Sequence, residues 1–173
     1  MATAGNKVII AGPSGFCVDP SNSHDGADGA FVLMGSCASI SRSPIATRPK
    51  TPAVLTATVF EGTGDGAVFA DSFPQMAKFL SSEPGRAALS RSGKSSSVKI
   101  GQIASLGDVM FMRVSDGSGA QTQEIDAEYW RAIFEENGQI VTLTVLGLQR
   151  FPIDGAAKRA LLDQFVAKVR ASN

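Results

Sequence analysis

The two cysteines of this chain, Cys17 and Cys37, and its single histidine, His24, all fall within GFCVDPSNSHDGADGAFVLMGSCASI, residues 15–40. Three chemistries use these residue types: a metal centre, a reactive thiol and a disulfide. Structural zinc takes four Cys or His ligands, and catalytic zinc three, at short spacings. Two cysteines with nineteen residues between them and one histidine match that poorly. No CxxC pair is present, and a catalytic thiol would have to take His24 as its base from within polar turn text. A disulfide fits better. Both cysteines stand in apolar, strand-like text around a long loop, and closing a loop of that size stabilises by roughly 3 kcal/mol, chiefly through the unfolded chain. Buried free thiols, or a metal or catalytic role, are the alternatives. A lone even pair points to an oxidising compartment.

The loop between the cysteines gathers Asp19, His24, Asp25 and Asp28. A divalent cation would suit these donors, and His24, Asp25 and Asp28 are the weak metal candidates. Ser21 and Ser23 occupy the alternate positions where a calcium loop needs Asp or Asn, so the expectation is a solvated turn. GTGDGA (62–67) resembles a degenerate dinucleotide fingerprint without the helix and acidic residue that should follow, and is expected to be a flexible turn. GPSG (12–15) lacks the spacing of a hydrolase elbow. Glu124, Asp126, Glu128, Glu135 and Glu136 could supply paired carboxylates. They are expected instead at sheet edges and a turn, where charge blocks edge-to-edge association. No catalytic residue and no cofactor follow from these patterns.

Composition narrows the partners. The 173 residues fit a single globular domain, with residues 1–6 expected to be disordered or foreign to the natural chain. Sixteen basic residues balance sixteen acidic ones, so the basic excess of a nucleic-acid binder is missing. The longest apolar runs are strand-length, far short of the roughly 20 residues that span a bilayer, and membrane insertion is not expected. The opening MATAGNK has no basic segment followed by an apolar stretch. With the cysteine pair, this gives an expected periplasmic or secreted location, the signal having been removed, with the cytoplasm as the alternative.

Strand signals dominate the text that must position these groups. KVIIAG (7–12), GFCVD (15–19), AFVLMGSCASI (30–40) and PAVLTATVFEG (52–62) read as strands. From residue 69 the period changes, and Phe73, Met76, Ala77 and Leu80 predict a helix with Asp71 or Ser72 as its N-cap. GRAALSR (85–91) reads as a second short helix starting near Ser82. Two hairpins follow, the first turning near Leu106-Gly107. The second turns at Asn137-Gly138, a dipeptide suited to positive φ at both positions. A two-residue turn there places Phe134 opposite Val141, Ala132 opposite Leu143 and Trp130 opposite Val145 on one apolar face. Tyr129, Arg131, Ile133 and Glu135 then share the other face with Leu146, Thr144, Thr142 and Ile140. If nothing covers that mixed face, Tyr129, Arg131 and Ile133 form a binding surface. Asp154 caps a closing helix whose stripe is Ala157, Leu161, Phe165 and Val169, flanked by Leu162 and Val166. Lys158, Arg159, Asp163, Lys168 and Arg170 lie off that stripe. The class is α+β, a mainly antiparallel sheet packed by a C-terminal helix and a central helical segment.

This order of elements resembles the Mog1/PsbP-like fold. The resemblance is carried by GFCVDP at the first hairpin, YWRAIFEENGQIVTLTV at the last, and the closing LLDQFVAKVRAS. Proteins of that fold are mostly accessory or binding modules, among them photosystem subunits, a binder of a small GTPase and bacterial envelope proteins. The resemblance therefore implies a non-enzymatic exported module with a protein partner, and it carries no site residue across. The alternative is a small hydrolase or metal-dependent enzyme centred on the His24 loop.

Overall fold

The computed structural model describes residues 1–3, 5, 7–62, 66–119 and 124–173. In chain order the elements are β1 (Ala2–Thr3), β2 (Val8–Ile9), β3 (Phe16–Val18), β4 (His24–Gly26), β5 (Gly29–Ser36), α1 (Cys37–Ile40), β6 (Ala53–Glu61), α2 (Gly66–Asp71), α3 (Phe73–Ser81) and α4 (Glu83–Leu89). They continue with β7 (Val98–Leu106), β8 (Val109–Asp116), β9 (Ile125–Glu136), β10 (Gln139–Leu148) and α5 (Gly155–Arg170). β1 and β2 form a small ribbon. The other strands make one 8-stranded antiparallel sheet in the order β3-β5-β6-β10-β9-β8-β7, with β4 also pairing β5. The class is α+β, as composition and hairpins indicate. Among the described residues no helix is long and apolar enough to cross a membrane.

The β9–β10 hairpin has the register that the Asn137-Gly138 turn dictates. Phe134 faces Val141, Ala132 faces Leu143 and Trp130 faces Val145. Both turn residues take positive φ, 50° and 70°. The β7–β8 turn lies one residue later than expected, with Gly107 at φ 59°. On the first face of the sheet, the apolar side of β9, β10, β6 and β5 packs against Leu161, Leu162, Phe165, Val166 and Val169 of α5. The N-terminal ribbon closes the same core through Val8 and Ile10, and Asn173 clamps it by exchanging two hydrogen bonds with the Ile9 backbone. Residues 2 and 3, expected to be disordered, are thus a strand, and the strand expected over 7–12 shrinks to two residues outside the main sheet.

Asp154 caps α5 as read from the sequence, its Oδ1 accepting from Ala157 N at 2.7 Å. Asp154→Ala is expected to cost about 1 kcal/mol in urea unfolding, and Asp154→Ser much less, because either cap oxygen satisfies the same orphan N–H. Ser72 heads α3 but makes no such bond; its hydroxyl donates back to Phe69 O at 2.6 Å. Ser82 does cap α4, accepting from Gly85 N.

The second face carries a separate core. Met110, Met112, Val114, Tyr129 and Ile133 are buried there beneath Phe69, Phe73, Leu80 and Leu89 of α2, α3 and α4. The two helices expected here are three, because the first is divided at Ser72 into α2 and α3. Asp116, at the end of β8, ties them to the sheet. Burial pushes its carboxyl up, but hydrogen bonds from Arg91 N (2.7 Å), Ser118 N (3.0 Å) and Ser97 Oγ (2.8 Å) outweigh that and hold it below the usual carboxylate range.

Two further corrections concern charge. β9 is an interior strand, so Asp126 and Glu128 are not sheet-edge charges. Asp126 meets Lys158 Nζ at 2.6 Å, and that lysine, expected in solvent, is buried. Glu136 pairs with Arg170 at 3.1 Å, which also holds Asp108 at 2.7 Å. Of GTGDGA, residues 63–65 lie outside the described residues, and α2 begins at Gly66, so a helix does open at the end of this motif, contrary to expectation.

Candidate functional site

Cys17 and Cys37 are joined by a disulfide, with Cα atoms 4.7 Å apart, and no cysteine is free. Cys17 pairs with Gly35 across β3 and β5. Had β5 run on as a strand through residue 40, Cys37 would sit diagonally from Cys17 at roughly 7–8 Å, beyond disulfide reach. The chain therefore turns at Ser36 into α1, and Cys37 N donates to Gly15 O at 2.8 Å. That turn lays Ile40 over the second face at Gly35, where a Cβ would meet Ile40 Cδ1 at 3.5 Å.

The His24 segment is a strand and not a loop. His24 pairs with Phe31 and Gly26 with Gly29, so β4 is an edge strand of the sheet. The imidazole is exposed and tilted against the Phe31 ring, with centroids 5.8 Å apart. His24 and Asp28 do line a common hollow with Phe31, Thr58 and Phe60, of about 200 Å³. The hydroxyl preceding His24 in sequence, Ser23 Oγ, donates to Asp19 O and accepts from Leu33 N. Among the described residues no three His, Cys, Asp or Glu side chains gather as a metal would need. Asp19 instead shapes its own turn, accepting from Asn22 Nδ2 (2.8 Å) and Ser21 N (2.9 Å). Asn22 first among these causes holds the Asp19 carboxyl below its ordinary value.

The mixed face of β9 meets a divided fate. Tyr129 and Ile133 are 3% and 8% exposed beneath α2–α4, and the Tyr129 hydroxyl donates to Leu89 O at 3.1 Å. Burial pushes that phenol up from its ordinary value. These two residues are core, so they do not form the surface expected of them. Arg131, between them, behaves differently. Its Nε donates to Thr144 Oγ1 of β10 at 3.1 Å. Its Cζ lies 5.4 Å from the Tyr129 ring centre. Burial pushes the guanidinium down from its ordinary value, with Tyr129 opposing. It stays charged, as arginine does in proteins. No carboxylate pairs with it among the described residues, and Nη1 and Nη2 have no hydrogen-bond partner there.

Beyond Arg131 the second face is partly exposed. The helices α2–α4 sit chiefly over β7–β9; Ile140 and Leu146 of β10 pack against the same core and Thr144 is buried, while Thr142, Thr56, Thr58, Phe31 and Leu33 each keep part of their surface in solvent. Register places Thr144 opposite Thr56, and Thr142 opposite Thr58. Leu33 and Phe31 stand next to that pair of threonines, and His24 lies beyond Phe31. The hydroxyls of Thr56, Thr58 and Thr142 take no partner among the described residues. Phe60, at the end near the hollow, is 47% exposed. Thus His24 and Arg131, separate candidates in the sequence, share one face at its two ends. The turn register places Thr142 and Thr144 on this face from sequence alone, and the TAT of 56–58, in the strand facing TLT (142–144), is the signal for their partners Thr56 and Thr58.

A second cleft, of about 590 Å³, lies past the disulfide between α1, residues 48–54 and Phe151. Its ionisable side chains, Arg48 and Glu124, are exposed at the rim, and its walls are chiefly Pro49, Pro52, Val54 and Leu148. Neither a protein-family model nor a curated protein matches the chain, so the geometry of this face is what speaks to function.

Proposed function

We propose that the protein is a non-enzymatic binding or accessory module of an oxidising compartment, periplasmic or secreted, with the open half of the second sheet face as its recognition surface. The observation that carries this is Arg131, a charged side chain without a carboxylate partner among the described residues, set beside the threonine and apolar side chains of β10, β6 and β5. The disulfide supports the compartment, because such bonds persist where thiols are oxidised. The order of elements supports a Mog1/PsbP-like assignment, whose members act mainly as accessory proteins. The hollow at the His24 end of this face holds only about 200 Å³, below the roughly 300–1,000 Å³ of small-molecule pockets, and the larger cleft of about 590 Å³ lies at its Gly35 and Val54 end.

A photo-crosslinking residue at Thr58 or Phe60 is expected to give one discrete adduct in the producing cell, competed by excess unlabelled protein. The same residue at Ile45, which is 94% exposed and off the face, should give none. Equal labelling from Ile45, or no adduct from either face position, would sink this reading.

A further inference from the structure

The chemistry of the partner can be taken one step further, on the basis of the recognition face just described. The floor made by residues 31, 33, 54, 56, 58 and 142, with the buried Thr144 at its edge, has no charged side chain; Arg131 borders it on β9, and Glu135 lies buried further along the same face of that strand. A guanidinium fixed at Nε and free at Nη1 and Nη2 presents two parallel N–H donors, the fork that matches a carboxylate. A half-buried cation without a counter-charge is unfavourable until an anion arrives. From Arg131 to Leu33 is three strand steps, roughly 14 Å at 4.8 Å each, the length of four to five extended residues.

We propose that the open half-sheet docks an acidic segment of a partner protein: Nη1 and Nη2 of Arg131 receive one Asp or Glu carboxylate, and Phe31, Leu33 and Phe60 pack the apolar residues beside it. The hydroxyls of Thr56 and Thr142 complete the anion's shell on the side facing β6. Docking is non-covalent and makes no demand on a cofactor.

The test uses the full chain and two synthetic peptide libraries, identical except that one fixes Glu at the centre and the other Gln, each with apolar residues two positions to either side. Binding is read by fluorescence anisotropy and by the Arg131 Nε–Hε resonance in NMR. The Glu library is expected to bind at least ten-fold tighter than the Gln library, to shift the Arg131 Nε–Hε signal, and to lose most of that preference in 0.5 M salt. Arg131→Gln should bring the two libraries within two-fold of each other, and Arg131→Lys should keep only part of the preference because it lacks the fork. If Arg131→Gln fails to fold, the Nε–Hε shift in the unaltered protein decides. Equal binding of the two libraries on the strands of this face would overturn the acidic partner while leaving the recognition face standing. Binding elsewhere, or no binding at millimolar peptide, would overturn both. Acetate or phosphate shifting the Arg131 signal as strongly as the Glu library would overturn the protein segment in favour of a small anion.

Discussion

Lys158→Ala is expected to lower the unfolding free energy by about 3 kcal/mol, because it breaks a buried ion pair. Lys158 leaves α5 on its sheet-facing side, where a lysine would ordinarily be excluded. It is accommodated because Gly147 of β10 has no side chain: a Cβ there would meet Lys158 Cε at 2.8 Å. Through that gap Nζ reaches Asp126 Oδ2 at 2.6 Å and Glu128 O at 3.0 Å. Removing the amine leaves a carboxylate and a carbonyl beside an empty channel. The loss falls at the low end for buried pairs because the Asp126 side chain keeps 35% of its surface in water. Lys158→Met retains the volume of the stem and should lose about half as much. Urea unfolding of Lys158→Ala, Asp126→Ala and the double variant checks the assignment. A coupling energy near zero, or equal losses for Ala and Met, would show that packing and not the ion pair holds α5 here.

How much of this was legible in the chain depends on how local the determining physics is. The β9–β10 register follows from two turn residues and a period of two, and it appears in the structure pair by pair. The cap at Asp154 and the stripe of α5 are equally local. Lys158 was misplaced because its burial depends on Gly147 and Asp126, residues on two strands that only the tertiary fold brings under the helix. Tyr129 and Ile133 were misread for a related reason: their face alternates correctly, but the packing of three short helices onto it is set by Met110, Met112 and Val114 of the next strand. The candidate site was half visible. Arg131 and His24 each drew notice alone, while their common face depends on β5 and β6 lying between them, an order of strands that no hairpin signal encodes.

Replacing both cysteines by alanine, or reducing the bond, should cost roughly 3 kcal/mol, because the cross-link restricts the unfolded chain over a sequence separation of 20 residues. Denaturant midpoints with and without reductant measure the loss. Thiol titration of the unfolded, unreduced protein should find no free thiol, and two after reduction. Whether the bond also acts in the native state is a separate matter that hydrogen exchange separates. Cys37 N is bonded to Gly15 O, and Ile40 lies over Gly35 irrespective of the sulfur link. If stabilisation comes through the unfolded chain alone, the Cys37 amide should lose only the protection that the global loss dictates. Peptide binding on the open face should then stay within two-fold of the oxidised protein. A Cys37 amide that exchanges far faster than the global change allows would show that the bond holds α1 in place. The end of the recognition face nearest Gly35 would then open on reduction, and the module's affinity would follow the redox state of its surroundings.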